Sequence, residues 1–392
     1  MKKICTLNKI AACGTDRLDR AKYSISGDIA GADGVIVRSA VMHDMALPDE
    51  LLAIARAGAG VNNIPIDTCS EAGIVVFNTP GANANGVKEL VLAGMLLAAR
   101  DVVGGIAWAK SAAGEPDIAK KVEKEKARFG GCELKGKTLG IIGLGAIGGP
   151  LAGMATHLGM QVLGQDSFLT VDAAWNLNRN IKKVVTHKEI FENSDYISLH
   201  VPLVVHDDPL INTKHMINKE TLAMMRDGVV ILNFARDTLV NDEDMEQALK
   251  SGKVAKYVTD FPNDRTAGMD GVIAIPHLGA STEESEDNCA VMAADELDAY
   301  LTDGIIRNSV NYPDVDAHRT AAYRVCVLHR NIPHMLSRTS GVLSAEGINI
   351  ETMINKSRKE YAYTVLDVVN APPDEALDKI RAIDGVIRVR QI

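Results

Sequence analysis

Four side chains suited to proton transfer and anion binding occur late in the chain. Arg236, Asp260 and His277 each follow an apolar, strand-like run, and Asp264 lies shortly after Asp260. Arginine binds a carboxylate bidentately, histidine moves protons near neutral pH, and a carboxylate orients an imidazole and stabilises its charged form. Together these groups suit oxidation of a hydroxy acid. Taken singly, each is more often structural.

A glycine pattern upstream indicates a nucleotide-binding loop, which such an oxidation also needs. The apolar run from Thr138 leads into Gly143, Gly145 and Gly148, with G-x-G-x-x-G spacing, and a helical pattern follows. In such a loop, the first glycine permits a tight turn, the second lets the backbone approach a pyrophosphate, and the third allows close helix–strand packing. We expect the loop backbone, including Ala146 and Ile147, to bind a dinucleotide.

The next strand pattern indicates which dinucleotide is bound. It begins at Gln161 and ends in Asp166, about 20 residues into the unit, where an acid accepts hydrogen bonds from ribose hydroxyls. No Arg or Lys follows directly, so a 2′-phosphate has no evident partner. The pattern therefore favours NAD over NADP. The alternative is a glycine-rich turn that binds no ligand.

Composition narrows the class of protein. A chain of 392 residues predicts two to three domains, and a net charge of −9 argues against nucleic acid or an anionic membrane as the main partner. The six cysteines are scattered without C-x-x-C pairs, which fits reduced thiols in the cytoplasm better than disulfides or zinc, and we expect no metal site. We expect neither a signal peptide nor a membrane span, because there is no apolar leader and no apolar run of about 18 residues.

The order of strand and helix patterns predicts the fold class. Residues 1 to about 105 read as an α/β unit, 138 to about 276 as a doubly wound parallel sheet, 283–303 as a long helix, and 320–392 as a βαββαβ unit. A polar stretch from Arg307 to Asp316 reads as a hinge before the last unit. Arg38 and Arg56 end strand patterns in the first unit, where ligands of parallel sheets bind, although both are equally plausible as solvated surface arginines.

As a set, these motifs resemble those of the D-2-hydroxyacid dehydrogenase family, and the tail resembles an ACT regulatory domain. The resemblance covers nearly the whole chain. The matching stretches are Val37–Ser39, Arg56–Asn63, Asn78–Pro80, Gly143–Gly148, Leu199–Leu203, Asn233–Arg236 and Pro276–Thr282.

The resemblance implies a domain plan and a set of site residues. It implies a flavodoxin-like substrate domain, residues 1–105 and 283–306, with a Rossmann NAD domain, 106–282, inserted in it, and an ACT domain at 318–392. It implies that Arg236 and His277 are catalytic, with Asp264 as the acid beside the histidine. The implied cofactor residues are Gly143, Gly145, Ala146, Ile147, Gly148, Asp166, His200, Pro202, Ala235, Asp260 and Gly279. The implied substrate residues are Arg38, Ser39, Arg56, Ala59, Gly60 and Asn83.

The chain departs from the family pattern beside the histidine's expected acid. The family usually has D-V-F-x-x-E-P, whereas the run from Asp260 to Asp264 is one residue shorter and ends in aspartate. Because aspartate is a methylene shorter than glutamate, Asp264 must approach His277 differently. Asp237 also replaces the glycine that usually follows the catalytic arginine.

The ACT-like tail implies regulation by an amino acid and association between copies of the chain. For this family the implied effector is L-serine, with His329, Asn331 and Asn349 at the matching positions. Amide and imidazole groups can satisfy both charged ends of an amino acid, although asparagine also simply turns a chain. His334 replaces a usual glycine, and a positive φ there carries a cost.

Three functions remain open from the sequence. The two substrate-loop arginines and the ACT-like tail favour NAD-dependent oxidation of 3-phospho-D-glycerate, the opening step of serine synthesis. We expect the chain to form a homodimer or homotetramer. Another D-2-hydroxyacid dehydrogenase, such as a glyoxylate or hydroxypyruvate reductase, is the first alternative. A non-catalytic NAD-sensing corepressor on the same fold is the second.

Overall fold

The computed structural model describes residues 1–208 and 211–392. Two compact units divide these residues: Met1–Asn83 together with Glu283–Ile392, and Ala84–Thr282. The predicted three-domain division stays a prediction. The two units differ from that predicted division at two places. Residues 84–105 lie in the second unit, and the ACT-like tail lies in the first.

The N-terminal segment forms a parallel sheet in the order β2-β1-β3-β4-β5, the flavodoxin-like arrangement that the resemblance implies. The middle strand of this sheet, Gly34–Val37, is continuously apolar and buried because both faces of a parallel sheet are covered. The elements are β1 Lys2–Leu7, α1 Ala12–Thr15, β2 Tyr23–Ser26, β3 Gly34–Val37, β4 Ala53–Arg56, α2 Ile66–Glu71 and β5 Val75–Asn78.

The second unit contains a parallel sheet in the order β12-β11-β10-β9-β6-β7-β8, the doubly wound arrangement predicted from the glycine motif. Short helices connect its strands. The elements are α3 Ala84–Ala99, α4 Val102–Ser111, α5 Ile118–Glu125, β6 Thr138–Ile142, α6 Gly148–His157, β7 Gln161–Gln165, α7 Val171–Trp175, β8 Ile181–Lys183, α8 His187–Asn193, β9 Tyr196–Leu199, α9 Lys219–Met224, β10 Val229–Asn233, α10 Asp242–Lys250, β11 Val254–Thr259 and β12 Val272–Ala274.

Helix α3 belongs to this second unit because it packs on β10 and β11. A Cβ added to Gly94 of α3 would lie 2.9 Å from the Phe234 ring and 3.1 Å from Val258. The unit boundary therefore falls at Asn83, whereas the sequence suggests one near residue 105.

The chain then returns to the first unit through one long helix and forms a four-stranded antiparallel sheet. The order β14-β15-β13-β16 is that of a βαββαβ ferredoxin-like fold, as predicted for the tail. The elements are α11 Glu283–Asp303, β13 Tyr323–Arg330, α12 Met335–Ala345, β14 Ile350–Arg358, β15 Tyr361–Val368, α13 Asp374–Arg381 and β16 Val386–Gln391.

The C-terminal sheet shares a hydrophobic core with the N-terminal sheet. On one face of the C-terminal sheet, Leu328 and Tyr363 belong to one buried cluster with Phe77 of β5 and Tyr300 of α11. The opposite face packs on the tail's own helices. The hydroxyl of Tyr363 donates to the carbonyl of Gly304 at 2.7 Å. The tail is thus packed into the first unit.

A buried ion pair stabilises the packing of the tail against the end of α11. Arg324 and Asp367 are 1% and 0% exposed and form a bidentate pair with N–O distances of 2.6 and 2.9 Å. Arg324 also donates to the carbonyls of Asp303 and Ala317. The guanidinium carbon of Arg390 lies 4.5 Å from the Tyr300 ring centre.

The stretch predicted to be a solvated hinge packs against the edge of the N-terminal sheet. Ser309, Asn311 and Tyr312 are buried. Asn311 accepts a hydrogen bond from the Val76 amide at 2.9 Å and donates to the Ile74 carbonyl at 2.9 Å. Polar residues in this segment therefore satisfy the backbone of β5, and the hinge interpretation is wrong.

Among the described residues, no single helix is long and apolar enough to cross a membrane. Only α3 and α4 taken together, with a bend of 68° between them, meet criteria of length and composition.

Candidate active site

The glycine loop between β6 and α6 has the conformation that dinucleotide binding requires. Gly143 has φ +94°, and a Cβ there would lie 2.5 Å from the His200 carbonyl oxygen. A Cβ on Gly148 would lie 1.9 Å from the Gly143 carbonyl oxygen. By contrast, a Cβ on Gly145 would meet no described atom within 4 Å. The first and third glycines are therefore needed for packing, whereas the second keeps the loop backbone open to a ligand.

Asp166 follows β7 and is hydrogen-bonded to this loop. Its Oδ2 accepts from the Leu144 amide at 2.8 Å, and its Oδ1 accepts from the Phe168 amide at 2.8 Å. Within the described part of the chain, no Lys or Arg forms an ion pair with it. A carboxylate has about four acceptor sites, so capacity remains for two ribose hydroxyls.

Asp260 is a buried carboxyl at the end of β11. It is 1% exposed, and burial raises its pKa to about 6, opposed by the charge of Arg236 and the amide of Gly279. Its Oδ1 is buried and makes no hydrogen bond among the described residues. A buried acceptor without a partner is costly, so this atom fits an N–H donor such as the carboxamide of a bound nicotinamide.

His200 and Pro202 follow β9, on the strand next to the glycine loop. The Nε2 of His200 lies 2.8 Å from the Ser198 hydroxyl, while its Nδ1 is buried without a partner among the described residues. Burial lowers the pKa of His200 to about 4, so its imidazole is neutral at physiological pH. Pro202 is exposed. His200 thus adds an unpaired polar atom to a unit whose glycine loop and Asp166 already fit NAD.

Arg236 is presented on a turn that its own backbone and Asn233 stabilise. The buried Asn233 side chain donates to the Arg236 carbonyl at 2.8 Å and to the Tyr257 hydroxyl at 3.2 Å, and it accepts from the Ala235 amide at 3.2 Å. The Arg236 side chain is exposed. Sequence reasoning did not assign this turn-forming role to Asn233.

His277 follows β12, and its ring packs against an aromatic ring at a tilted angle. Its ring centre lies 4.4 Å from that of Phe261, and the guanidinium carbon of Arg236 lies 5.6 Å from the same Phe261 ring. One phenylalanine therefore contacts both predicted catalytic residues. Sequence reasoning did not single out Phe261, because an aromatic residue after a strand usually belongs to a core.

Asp264, the acid predicted to orient His277, lies in the loop after β11. It is exposed. Its neighbours hold the loop to α10, since Asn263 donates to Asp242 at 2.8 Å and Arg265 pairs with Glu243 and Glu246. The catalytic role of Asp264 stays a prediction.

The first unit brings the two predicted phosphate-binding arginines together. Arg38 and Arg56 stand at the carboxyl ends of the paired strands β3 and β4, and the Arg56 Nε donates to the Arg38 carbonyl at 3.0 Å. Burial lowers the pKa of Arg56, and the positive charge of Arg38 adds to this effect. Gly58, with φ +147°, leaves room for the Arg56 guanidinium, which a Cβ would approach to 1.6 Å.

Other predicted substrate residues line the loops beside these arginines. The amide of Ser39 donates to the Asn8 side chain at 3.0 Å, and the carbonyl of Ala59 accepts from Asn78 at 2.6 Å. Gly60 and Asn83 are half-buried. Arg38 also forms an ion pair with Glu286 at 2.7 Å, which sequence reasoning did not foresee.

The predicted effector residues are mostly engaged in the fold of the tail. His329 is 3% exposed, with Nε2 2.8 Å from the Thr364 hydroxyl and Nδ1 2.7 Å from the Arg330 carbonyl. Asn331 donates to Lys359, and Asn349 donates to Glu351. His334 has φ +68°, the conformation that its glycine-like position predicts. The effector role of these residues stays a prediction.

Comparison with known proteins defines the class of this protein. A model of the NAD-binding domain of D-isomer specific 2-hydroxyacid dehydrogenases matches residues 92–279. The chain is 30% identical over 409 residues to D-3-phosphoglycerate dehydrogenase of Haemophilus influenzae, covering 98% of this chain and 93% of that protein. The chain belongs to the D-isomer specific 2-hydroxyacid dehydrogenase family. It is an NAD-dependent oxidoreductase, which confirms the predicted fold class and cofactor.

Two further comparisons agree with this assignment. The chain is 34% identical over 303 residues to D-3-phosphoglycerate dehydrogenase of Methanocaldococcus jannaschii, covering 75% of this chain and 54% of that protein, so it spans about half the length of that relative. The crystal structure of NAD⁺-bound 3-phosphoglycerate dehydrogenase of Entamoeba histolytica has a TM-score of 0.60 and 28% identity, covering 79% of this chain and 98% of that chain.

Proposed function

We propose that this chain catalyses the NAD-dependent oxidation of 3-phospho-D-glycerate to 3-phosphohydroxypyruvate, the first step of L-serine biosynthesis. The observation that carries the proposal is the pair Arg38 and Arg56 at adjacent strand ends. Two arginines at neighbouring strand ends suit a phosphate, which arginine binds bidentately. The names of the relatives in Haemophilus influenzae and Methanocaldococcus jannaschii support this substrate.

The chain's own groups account for the binding and proton steps. Arg236 binds the substrate carboxylate, and His277 accepts the hydroxyl proton during oxidation and returns it during reduction. NAD, when bound, supplies the hydride acceptor. The Gly143–Gly148 backbone holds its pyrophosphate, Asp166 its ribose, and Asp260 its carboxamide.

A second group of residues binds the two charged ends of the substrate. These hold the phosphate and orient the carboxylate with backbone amides and polar side chains: Arg38, Ser39, Arg56, Ala59, Gly60 and Asn83. Asp264 is the proposed acid beside His277, and its side chain is exposed.

One observation favours a second candidate, an unphosphorylated D-2-hydroxy acid. The carboxylate of Glu286 lies 2.7 Å from the Arg38 guanidinium and partly neutralises it. A phosphate dianion must compete with this acid, whereas an uncharged hydroxymethyl or methyl group need not. Substrate preference therefore decides between the two candidates.

The test follows NADH formation by absorbance with 3-phospho-D-glycerate, D-glycerate and D-lactate in turn. The proposal expects the highest kcat/KM for the phosphorylated acid. A preference for D-glycerate or D-lactate supports the second candidate. NADH binding without turnover on any of these acids points to a non-catalytic NAD-sensing role.

We also propose that L-serine inhibits the enzyme through the ACT-like tail, with Asn331 and Asn349 as its exposed polar contacts and His329 behind them. Removing the tail is a poor test, because the tail shares a buried core with the N-terminal sheet. Asn349→Ala is sharper, since this side chain bonds only to Glu351 among the described residues. The expected result is inhibition by L-serine in the wild type and weaker inhibition in the variant. An absence of inhibition in both, with no thermal stabilisation by serine, contradicts the proposal.

We propose that the chain self-associates into a homodimer or homotetramer through the α4 region. None of the residues of α4 is buried, yet Val102, Val103 and Ile106 are apolar and 44–59% exposed. Contiguous exposed apolar side chains commonly mark interfaces. Ile106→Lys should shift the mass measured by light scattering toward the monomer. An unchanged mass in a folded variant contradicts this interface.

We propose a cytoplasmic location from the state of the cysteines. All six cysteines are free thiols, which suits a reducing compartment. Fractionation of cells that express the chain is the direct test.

A further inference from the structure

Phe261 contacts two of the predicted catalytic residues, His277 and Arg236. Its ring centre is 4.4 Å from that of His277, at an interplanar angle of 44°, and 5.6 Å from the Arg236 guanidinium carbon. All three residues follow neighbouring strands, β10, β11 and β12, which lie side by side in the sheet. The contact therefore joins three strand ends.

The position of the Phe261 ring is set by its backbone. The Phe261 amide donates to the Thr259 hydroxyl at 3.1 Å. Its neighbour Asp260 is 1% exposed. A ring attached to such a held backbone is a fixed surface for the imidazole, rather than a mobile neighbour.

The sequence candidate for a carboxylate that orients the imidazole, Asp264, is exposed. The run containing Asp260 and Phe261 is also one residue shorter than the family pattern. The shortening places an aromatic ring directly after Asp260, where it reaches the imidazole.

An aromatic ring restricts the orientation of an imidazole that packs against it, and its face attracts cations. Cation–π contacts contribute about 0.5–2 kcal/mol, depending on desolvation. When His277 accepts a proton, it becomes a second cation near Arg236, and the ring lies against both groups. The Phe261 face then stabilises the imidazolium that forms and holds it at a fixed angle.

We propose that Phe261 is a positioning residue that orients His277 and stabilises its protonated form. The proposal rests on the proposed function, in which His277 accepts the substrate's hydroxyl proton. Phe261 acts through the histidine and not by binding NAD or substrate, so its removal should lower kcat more than it changes either KM.

The test compares Phe261→Leu, which keeps apolar volume without a ring face, with Phe261→Tyr, which keeps the ring. The leucine variant should lose roughly 2- to 30-fold in kcat, the factor that a cation–π contact represents, with KM for both substrates little changed. The tyrosine variant should retain most of the wild-type kcat. The matched control is Phe191→Leu, because Phe191 faces His187 at a ring distance of 6.3 Å elsewhere in the same unit; it should keep kcat even if it lowers stability.

A second readout does not depend on turnover. In the full-length protein with ¹³C-labelled histidine, the ring signals of His277, assigned by their loss in His277→Asn, should move in Phe261→Leu and not in Phe191→Leu. Unmoved signals, an unchanged kcat in Phe261→Leu, or an equal kcat loss in Phe261→Tyr would each overturn the proposal. A wild type active on D-glycerate alone overturns the substrate assignment only, and the Phe261 test then uses D-glycerate. A wild type inactive on every 2-hydroxy acid overturns both.

Discussion

The Arg38 guanidinium lies 2.7 Å from the Glu286 carboxylate, an acid in the first turn of α11. Both side chains are partly exposed, at 37% and 42%, so the pair contributes about 0.2–1 kcal/mol in water. Arg38 is also one of two arginines proposed to bind the substrate's phosphate. The ion pair therefore competes with substrate for the same cation.

Replacing Glu286 should strengthen binding of a phosphorylated substrate. Glu286→Gln frees Arg38 and removes a negative charge that a phosphate meets, so KM for 3-phospho-D-glycerate should fall about two- to fivefold. KM for D-glycerate should stay the same. Glu284→Gln in the same turn of α11 is the matched control. Equal changes in the two variants, or equal effects on both substrates, would show that the ion pair does not bear on phosphate.

Arg56 should be the stronger of the two phosphate ligands, because it is more buried and makes no ion pair among the described residues. A charge-assisted hydrogen bond contributes about 1.5–3 kcal/mol, so Arg56→Ala should raise KM for 3-phospho-D-glycerate roughly 10- to 100-fold. D-Glycerate should be little affected. Arg17→Ala, at an exposed pair with Asp295, is the control. Parallel losses on the two substrates would return Arg56 to a structural role.

His277→Ala should lower kcat by about 10²–10⁴-fold, the usual contribution of general acid–base catalysis. NADH affinity, measured by fluorescence titration, should remain near the wild-type value, because the histidine acts on the substrate's proton. The exposed His157 provides the control, His157→Ala. A folded His277→Ala variant with full turnover would remove this residue from the mechanism.

Asp264→Asn examines the expected acid partner of His277. The exposed position of Asp264 predicts a much smaller loss of kcat than the loss in His277→Ala. A comparable loss would restore Asp264 as the orienting acid and imply that its loop moves when ligands bind.

Asp166→Ala should weaken NAD and relax discrimination against NADP. The carboxylate repels a 2′-phosphate and accepts from ribose hydroxyls. It also holds the Leu144 amide at 2.8 Å, so removing it loosens the glycine loop and lowers affinity for both cofactors. The diagnostic quantity is the ratio of kcat/KM for NAD to that for NADP, with Asp172→Ala as the exposed control. An unaltered ratio argues that Asp166 only supports the loop.

The sequence predicts the parallel sheets and the glycine loop well, because continuous apolar runs and glycine spacing are local signals. Edge strands are harder. The short strands Tyr23–Ser26 and Ile181–Lys183 lie at sheet edges. Strands at a sheet edge bury fewer side chains, so their hydrophobic pattern is weak.

The tail shows a different limit. Asn311 was read as part of a polar hinge, yet it is 6% exposed and bonds the backbone of β5. Buried asparagines and solvated ones look alike in a sequence, because only the fold shows which backbone groups need partners. The same holds for Phe261, whose contact with His277 depends on strand ends far apart in the chain.

Glu296 in α11 should make the protein's stability depend on pH. It is 7% exposed; its Oε1 accepts from Asn308 at 2.7 Å, and its Oε2 is buried without a partner among the described residues. Burial raises its pKa from 4.5 to about 8, Asp314 and Asp295 act in the same direction, and Asn308 and Arg307 oppose the shift. The carboxyl is therefore protonated in the folded protein at neutral pH and ionised in the unfolded chain.

The sign of the effect follows from linkage. A group whose pKa is raised by folding contributes fully below its unfolded pKa, and this contribution is lost as pH rises through the folded pKa. Between pH 4.5 and about 8 the wild type should lose stability from this group, on the order of a few kcal/mol at about 1.4 kcal/mol per pKa unit. Glu296→Gln cannot ionise, so its free energy of unfolding relative to wild type should rise over that range and level off above it. Denaturant unfolding of both proteins at pH 5, 7 and 9 measures the difference, with the exposed Glu283→Gln as control. A difference that does not change with pH would mean that Glu296 is ionised, and paired, in the folded state.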